Sequence, residues 1–113
     1  MQSDPHPAPL QQLRDADAWP RLEATPCALL AVGSASCGAC RRLRAMLPAL
    51  AAAVGLPALW AEAEDAPGLV AELEVFHLPA LFVVAAGEPI GEVQAPLQLD
   101  ALRAANEALR SGR

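Results

Sequence analysis

Gly33-Ser34-Ala35-Ser36-Cys37-Gly38-Ala39-Cys40-Arg41-Arg42 is the stretch on which the fold turns. Immediately upstream, residues 27–33 (Cys-Ala-Leu-Leu-Ala-Val-Gly) form a short continuous apolar run. Such a run suits a central strand covered on both faces. Downstream, Leu43, Leu47, Leu50 and Val54 recur at steps of four, three and four, which is one face of a helix. Gly55 fits the stop of that helix and Pro57 follows it. Two cysteines separated by two residues therefore sit where a buried strand hands over to a long helix.

That placement suits reversible sulfur chemistry. Residues i and i+3 on a helix lie roughly 5–6 Å apart, and a disulfide needs Cβ atoms about 3.5–4.5 Å apart, so little movement closes or reopens the bond. The two sulfurs are expected to differ. Cys37 stands at or just before the helix N-cap, where backbone N–H groups and the helix dipole favour a thiolate. Arg41, Arg42 and Arg44 add positive potential. Such surroundings draw a thiol pKa from about 8.5 toward or below about 7. Cys37 is the expected nucleophile, and Cys40, one turn in and more buried, the expected resolving thiol.

The elements around this junction alternate. Residues 10–13 suit a short edge strand, and residues 15–24 a helix with Asp15 as its cap and Trp19 and Leu22 inward. Residues 58–63 read as a strand, and residues 66–74 as a short helix behind a cap at Asp65 and an early proline at Pro67. Residues 80–85 are strongly strand-like, Gly87 makes a turn, and residues 90–95 return antiparallel. Residues 97–110 form a last helix with Leu99, Leu102, Ala105 and Leu109 inward. The order β-α-β-α-β-α-β-β-α implies an α/β fold, a mixed central β-sheet with helices on both faces. One domain over residues 10–113 is expected behind a loose, proline-rich tail at residues 1–9.

Composition narrows the function. A chain of 113 residues with 54% apolar residues can bury a core without staples. A net charge of −5 argues against nucleic acid, which needs a basic face. No stretch has the roughly 20 apolar residues of a membrane span. Met1–Pro7 lacks a cationic segment followed by an apolar run, so a cytoplasmic location is expected. Three cysteines do not make a secreted disulfide framework, and a close pair in a cytosolic chain points to redox or metal chemistry.

The segment resembles the active site of the thioredoxin family, which carries a W-C-G-P-C-type motif between strand and helix. The family's second landmark is a cis proline before a core strand, facing the dithiol. Pro79, in His77-Leu78-Pro79-Ala80-Leu81-Phe82, lies 39 positions after Cys40. The resemblance covers residues 10–110 and implies a thioredoxin fold. It also implies a substrate groove formed by Ser36, Gly38, Ala39, Leu78 and Pro79, with the backbone beside Pro79 pairing with an extended partner peptide. The implied activity is exchange of a Cys37–Cys40 disulfide with protein or small-molecule thiols, by a monomer that needs no cofactor and is recycled by an upstream reductase. The departures are specific. Ala39 replaces the proline between the cysteines and Ser36 the tryptophan before them. Ala31 stands where thioredoxins bury an aspartate, and Trp60 falls near its lysine partner. The usual proton relay is therefore expected to be missing.

Rival readings follow from the same residues. A binding module would keep the groove and dispense with redox turnover. A structural zinc site needs four ligands, and Cys37 and Cys40 supply two, so metal would require a dimer pooling two pairs. Cys27, at the far end of the strand, reads as a small core residue. His77 reads as a loop histidine close to the groove. Glu62, Glu64, Asp65, Glu72 and Glu74 read as a solvated face or a partner-selecting charge, with Glu62 or Glu64 as a candidate substitute for the missing aspartate.

Overall fold

The computed structural model of the chain describes residues 10–112. The expected tail at residues 1–9, with His6, lies outside the described residues. The elements run β1 (Gln11–Leu13), α1 (Asp15–Ala24), β2 (Ala28–Gly33), α2 (Gly38–Val54), β3 (Ala58–Glu62), a 3-10 turn (Ala63–Asp65), α3 (Pro67–Glu72), β4 (Ala80–Ala85), β5 (Glu88–Glu92) and α4 (Leu99–Ser111). The strands form one sheet in the order β1-β3-β2-β4-β5. β1 and β2 run parallel to β3, whereas β4 is antiparallel to β2 and β5 antiparallel to β4.

The continuous apolar run of β2 is explained by its two covered faces. Leu30 and Val32 pack with Leu22 of α1 and Leu69 of α3, while Leu29 and Ala31 pack with Leu43, Leu47 and Leu50 of α2 and Leu102 of α4. Successive side chains of a strand point to opposite faces, so a strand between two helical layers has no polar side. Every residue of β2 is buried. β2 is thereby held rigidly in the centre of the sheet, and whatever follows Gly33 starts from a fixed point.

Turn chemistry places the remaining pieces. Gly55 closes α2 in the left-handed conformation at φ 73°, its N–H donating to Ala51 O at 2.8 Å. The β4–β5 hairpin turns through Ala86 and Gly87 at φ 50° and 86°, the signs a two-residue primed turn requires. β5 ends at Glu92, earlier than the expected residues 90–95.

Three local expectations are corrected. Asp15 does not cap its own helix: Arg14 is the N-cap of α1, and the Arg14 N–H donates to Asp17 Oδ1 at 3.0 Å. Asp15 caps α3 instead, accepting from Gly68 N at 2.8 Å and Leu69 N at 3.1 Å. Asp65 is no cap either, because the 3-10 turn consumes it and α3 starts after Ala66, which offers no side-chain acceptor. The short helix therefore borrows its cap from a residue far back in the chain, and the α1–α3 layer is tied by it. Finally, Leu99 is 39% exposed. The inward stripe of α4 is Leu102, Ala105, Asn106 and Leu109, and Leu99, the first residue of the helix, lies outside it.

Replacing Asp15 with alanine removes both acceptors from α3. The expected cost is about 1 kcal/mol, the usual value of a helix cap, and a Tm lower by about 4–8 °C. Circular-dichroism melting checks this, with Asp15→Asn, which keeps one acceptor oxygen, falling between the two.

Candidate functional site

β2 ends at Gly33, and the loop Ser34–Ser36 carries the chain to α2. Ser34 O accepts the Cys37 N–H at 3.2 Å, and the Ser34 and Ser36 hydroxyls lie 3.0 Å apart. Arg41 reaches back from the first turn of α2 to donate to Ala35 O at 2.9 Å. From the neighbouring strand, Glu62 Oε1 accepts the Ala35 N–H at 3.2 Å. The loop is thus held from both sides.

Cys37 is the N-cap of α2, with extended backbone at φ −98° and ψ 123°. Its Sγ accepts the Cys40 N–H at 3.2 Å, and its carbonyl accepts the Arg41 N–H at 3.1 Å. Cys37 is half-buried, whereas Cys40 is fully buried among Leu43, Leu47 and Trp60. Both thiols are free.

This geometry splits the two acidities. The Cys37 thiol is pulled below its ordinary value by a hydrogen bond from the Cys40 side chain, by the Cys40 and Ala39 N–H groups, and by the positive charge of Arg41; partial burial opposes these. The Cys40 thiol is pushed up, first by burial, then by its hydrogen bond to Cys37 and the negative charges of Cys37 and Glu62. Of the three expected cations, Arg41 is the one that acts on Cys37. Arg44 turns instead onto the Trp60 ring, 5.2 Å from its centroid, and pairs with Glu62 at 3.5 Å. Arg42 is exposed.

The other residues singled out by sequence fall around the same end of the sheet. Ser36 and Gly38 are exposed and Ala39 is half-buried. Leu78 and Pro79 are half-buried, and the bond between them is cis. The β2–β4 register pairs Val32 with Ala80, so one further step places Pro79 beside Gly33, at the mouth of the dithiol loop. A groove of about 320 Å³ runs past Pro79 and His77 against Leu43, Val93 and Leu97. Cys27 lies at the opposite end of β2, half-buried near Ala85 and Arg110, apart from the pair. Among the described residues no cluster of three or more His, Cys, Asp or Glu could hold a metal ion, and no helix is long and apolar enough to cross a membrane.

The floor of the site was only partly foreseen. Ala31 and Trp60 pair across β2 and β3, and the indole fills the space beneath the dithiol. A Cβ on Gly33 would meet the Trp60 ring at 2.5 and 2.6 Å and the Cys40 Cβ at 3.2 Å. Glycine is therefore required at the end of β2 by close approach. Trp60 Nε1 donates to Glu62 Oε2 at 2.8 Å. The signal for this pair was in the sequence, since residues two apart on a strand share a face. Phe76, 89% exposed ahead of the Leu78-Pro79 segment, was missed altogether, because no periodicity marks a solitary exposed aromatic.

A central strand leading into a dithiol-capped helix, in a five-stranded mixed sheet with a cis proline at the facing strand, decides the architecture. The chain has a thioredoxin fold. It superposes on a mutant thioredoxin from Halobacterium salinarum NRC-1 with a TM-score of 0.78 at 19% identity, covering 95% of this chain and 96% of that one. Thioredoxin f2 of Chlamydomonas reinhardtii gives 0.75 at 17% identity, over 88% and 95%. The zinc-bound form of human ERp44 gives 0.77 at 12% identity over 91% of this chain, which spans only 31% of that protein. No family model matches the sequence, and no match to it is found among curated proteins.

Two outcomes test this site. Iodoacetamide labelling of the reduced protein, read residue by residue by mass spectrometry, is expected to modify Cys37 first near neutral pH. Its rate should level off below the range of a free thiol, about 8.5, because a lowered pKa brings the thiolate in at lower pH; Cys40 should follow only at higher pH. Equal labelling, or Cys40 leading, would reverse the assignment. Gly33→Ala should cost about 1–3 kcal/mol in thermal unfolding, the usual penalty of overpacking against a ring that cannot retreat.

Proposed function

We propose that the protein is a thiol–disulfide oxidoreductase working through Cys37 and Cys40. The observation that supports this most directly is the Cys40 N–H donating to the half-buried Cys37 Sγ at the head of α2, above a buried Cys40. It is the arrangement that makes one thiol a nucleophile and keeps the other in reserve.

In the proposed exchange the Cys37 thiolate attacks one sulfur of a partner disulfide. A Cys37–partner bond forms as the partner's S–S bond breaks, and the displaced sulfur leaves as a thiolate that takes up a proton. Cys40 then loses its proton, attacks Cys37 Sγ and displaces the partner's remaining sulfur. Two electrons pass from the dithiol to the partner, which ends as a dithiol while Cys37–Cys40 closes. A second dithiol, supplied by a reductase, reverses the sequence and restores the pair. The solved complex of ferredoxin:thioredoxin reductase with thioredoxin f2, a structural neighbour at 20% identity, is what suggests a protein partner of that class.

Ser36, Gly38, Ala39, Leu78 and Pro79 are the proposed contact residues: the first three flank Cys37 in the chain, and Pro79, preceded by Leu78, lines the groove. The working unit is taken to be a monomeric domain of residues 10–113. A reducing compartment, the cytoplasm, suits a chain whose three cysteines are not partnered into a framework. A second reading, a binding module with idle thiols, is favoured by the indole in place of the proton relay and by the exposed Phe76.

Reduction of insulin disulfides with dithiothreitol as donor decides between the two. Turnover above the donor's own rate should vanish in Cys37→Ser, and Cys40→Ser should accumulate a Cys37 mixed disulfide. Absent turnover, with partner capture insensitive to Cys37→Ser, would establish the binding module instead.

A further inference from the structure

Glu62 is the acidic residue of the 62–74 stretch that turns inward. Its side chain is 14% exposed, whereas Glu64 and Asp65 on the following turn are more open to solvent. A carboxylate withdrawn from water is costly unless its oxygens are satisfied. Here Oε1 accepts from Ala35 N at 3.2 Å, while Oε2 accepts from Trp60 Nε1 at 2.8 Å and lies 3.5 Å from Arg44. Ala35 belongs to the loop that delivers Cys37. The Trp60 ring lies against Gly33, whose other close neighbour is the Cys40 Cβ.

We propose that Glu62 is the positioning residue of the dithiol, one carboxylate fastening the loop that carries Cys37 to the indole that floors Cys40 and placing a fixed negative charge on the Cys40 side. The inference deepens the exchange reading and rests on it. Its consequence is that a charge on β3, the strand beside β2, adds to the burial and the Cys37 hydrogen bond that already separate the two sulfurs. β2 brings no titratable side chain between Ala28 and Gly33. The charged and titratable groups around Cys40 are Cys37, Arg41 and Arg44 from α2, Glu62 from β3 and the exposed His77 ahead of β4. Arg41 is engaged with Ala35 O and Arg44 with Trp60 and Glu62. Burial and then the hydrogen bond to Cys37 hold the proton on Cys40, and the negative charges of Cys37 and Glu62 add to them.

Three variants separate charge from reach. Glu62→Gln keeps the length, loses the charge and can accept only one of the two N–H groups on an oxygen. Glu62→Asp keeps the charge and, one methylene shorter, gives up Ala35. Arg44→Met leaves both N–H bonds and strips the counter-charge. Site-resolved alkylation against pH reads Cys37 and Cys40 separately in each variant, and thermal melting confirms the fold. In Glu62→Gln, Cys40 should label about two- to threefold faster below its midpoint, a fraction of a pKa unit, since Glu62 is the smallest of the influences that raise it. Cys37 should change less, Glu62→Asp should stay close to the parent at Cys40, and Arg44→Met should slow Cys40. Unchanged Cys40 labelling in a folded Glu62→Gln protein overturns the proposal. Should that variant not fold, unchanged or faster labelling in Arg44→Met overturns it. None of these readouts needs a disulfide substrate. Absent insulin turnover with the Glu62 effect present removes the exchange reading alone, and turnover without the effect removes this inference alone.

Discussion

The hydrogen bond from Cys40 N–H to Cys37 Sγ, 3.2 Å long, is the contact on which the rest of the site depends. A helix begins with N–H groups that have no partner inside it. Most helices satisfy them with a hydroxyl or carboxylate; here a sulfur does so. The helix start and the activated thiol are therefore one structural feature, and neither can be moved without the other. Cys40 is buried because it stands on the same inward stripe of α2 as Leu43 and Leu47.

Such a bond is useful only if the helix start is held still, and the sheet does that. β2 lies between β3 and β4 and is buried along its whole length. Its last residue, Gly33, is pressed between the Trp60 ring and the Cys40 Cβ. The loop beyond it is then closed by Arg41 on one side and Glu62 on the other. The cis Leu78-Pro79 bond arrives at the same end because β4 runs antiparallel to β2, so that the start of one strand meets the finish of the other. The site is a product of topology as much as of motif.

Where a residue's part is local or set by burial alone, the sequence carried it. The β2 run, the α2 stripe and the Gly55 stop all announced themselves through periodicity or backbone conformation. The C-x-x-C pair was legible because its spacing and its place between strand and helix are both local facts. What escaped was long-range polar pairing. Asp15 looked like a cap and is one, but for α3, far along the chain, and no local pattern distinguishes the two uses. Leu99 followed the apolar spacing of α4 yet lies off its buried face. Asn106, fully buried, was concealed by the opposite assumption that a polar residue marks the outside. The Trp60–Glu62 pair was readable as a shared strand face, but its contact with the Ser34–Ser36 loop depends on the β2–β3 register, which only the fold supplies.

The replacement of a polar floor by an indole bears on the order of events in the proposed exchange. Burial comes first in keeping the proton on the resting Cys40, but two of the influences that raise its pKa come from Cys37 itself: the shared hydrogen bond and the thiolate charge. Both are present only while Cys37 is free. Once its sulfur is bound to a partner, the negative charge has gone and the hydrogen bond has weakened, so Cys40 becomes easier to deprotonate at the moment its thiolate is required. A buried carboxylate beneath the pair would perform that release by accepting the proton. In the proposed exchange, part of the same timing would come from the two sulfurs acting on each other, with the Glu62 charge a smaller addition.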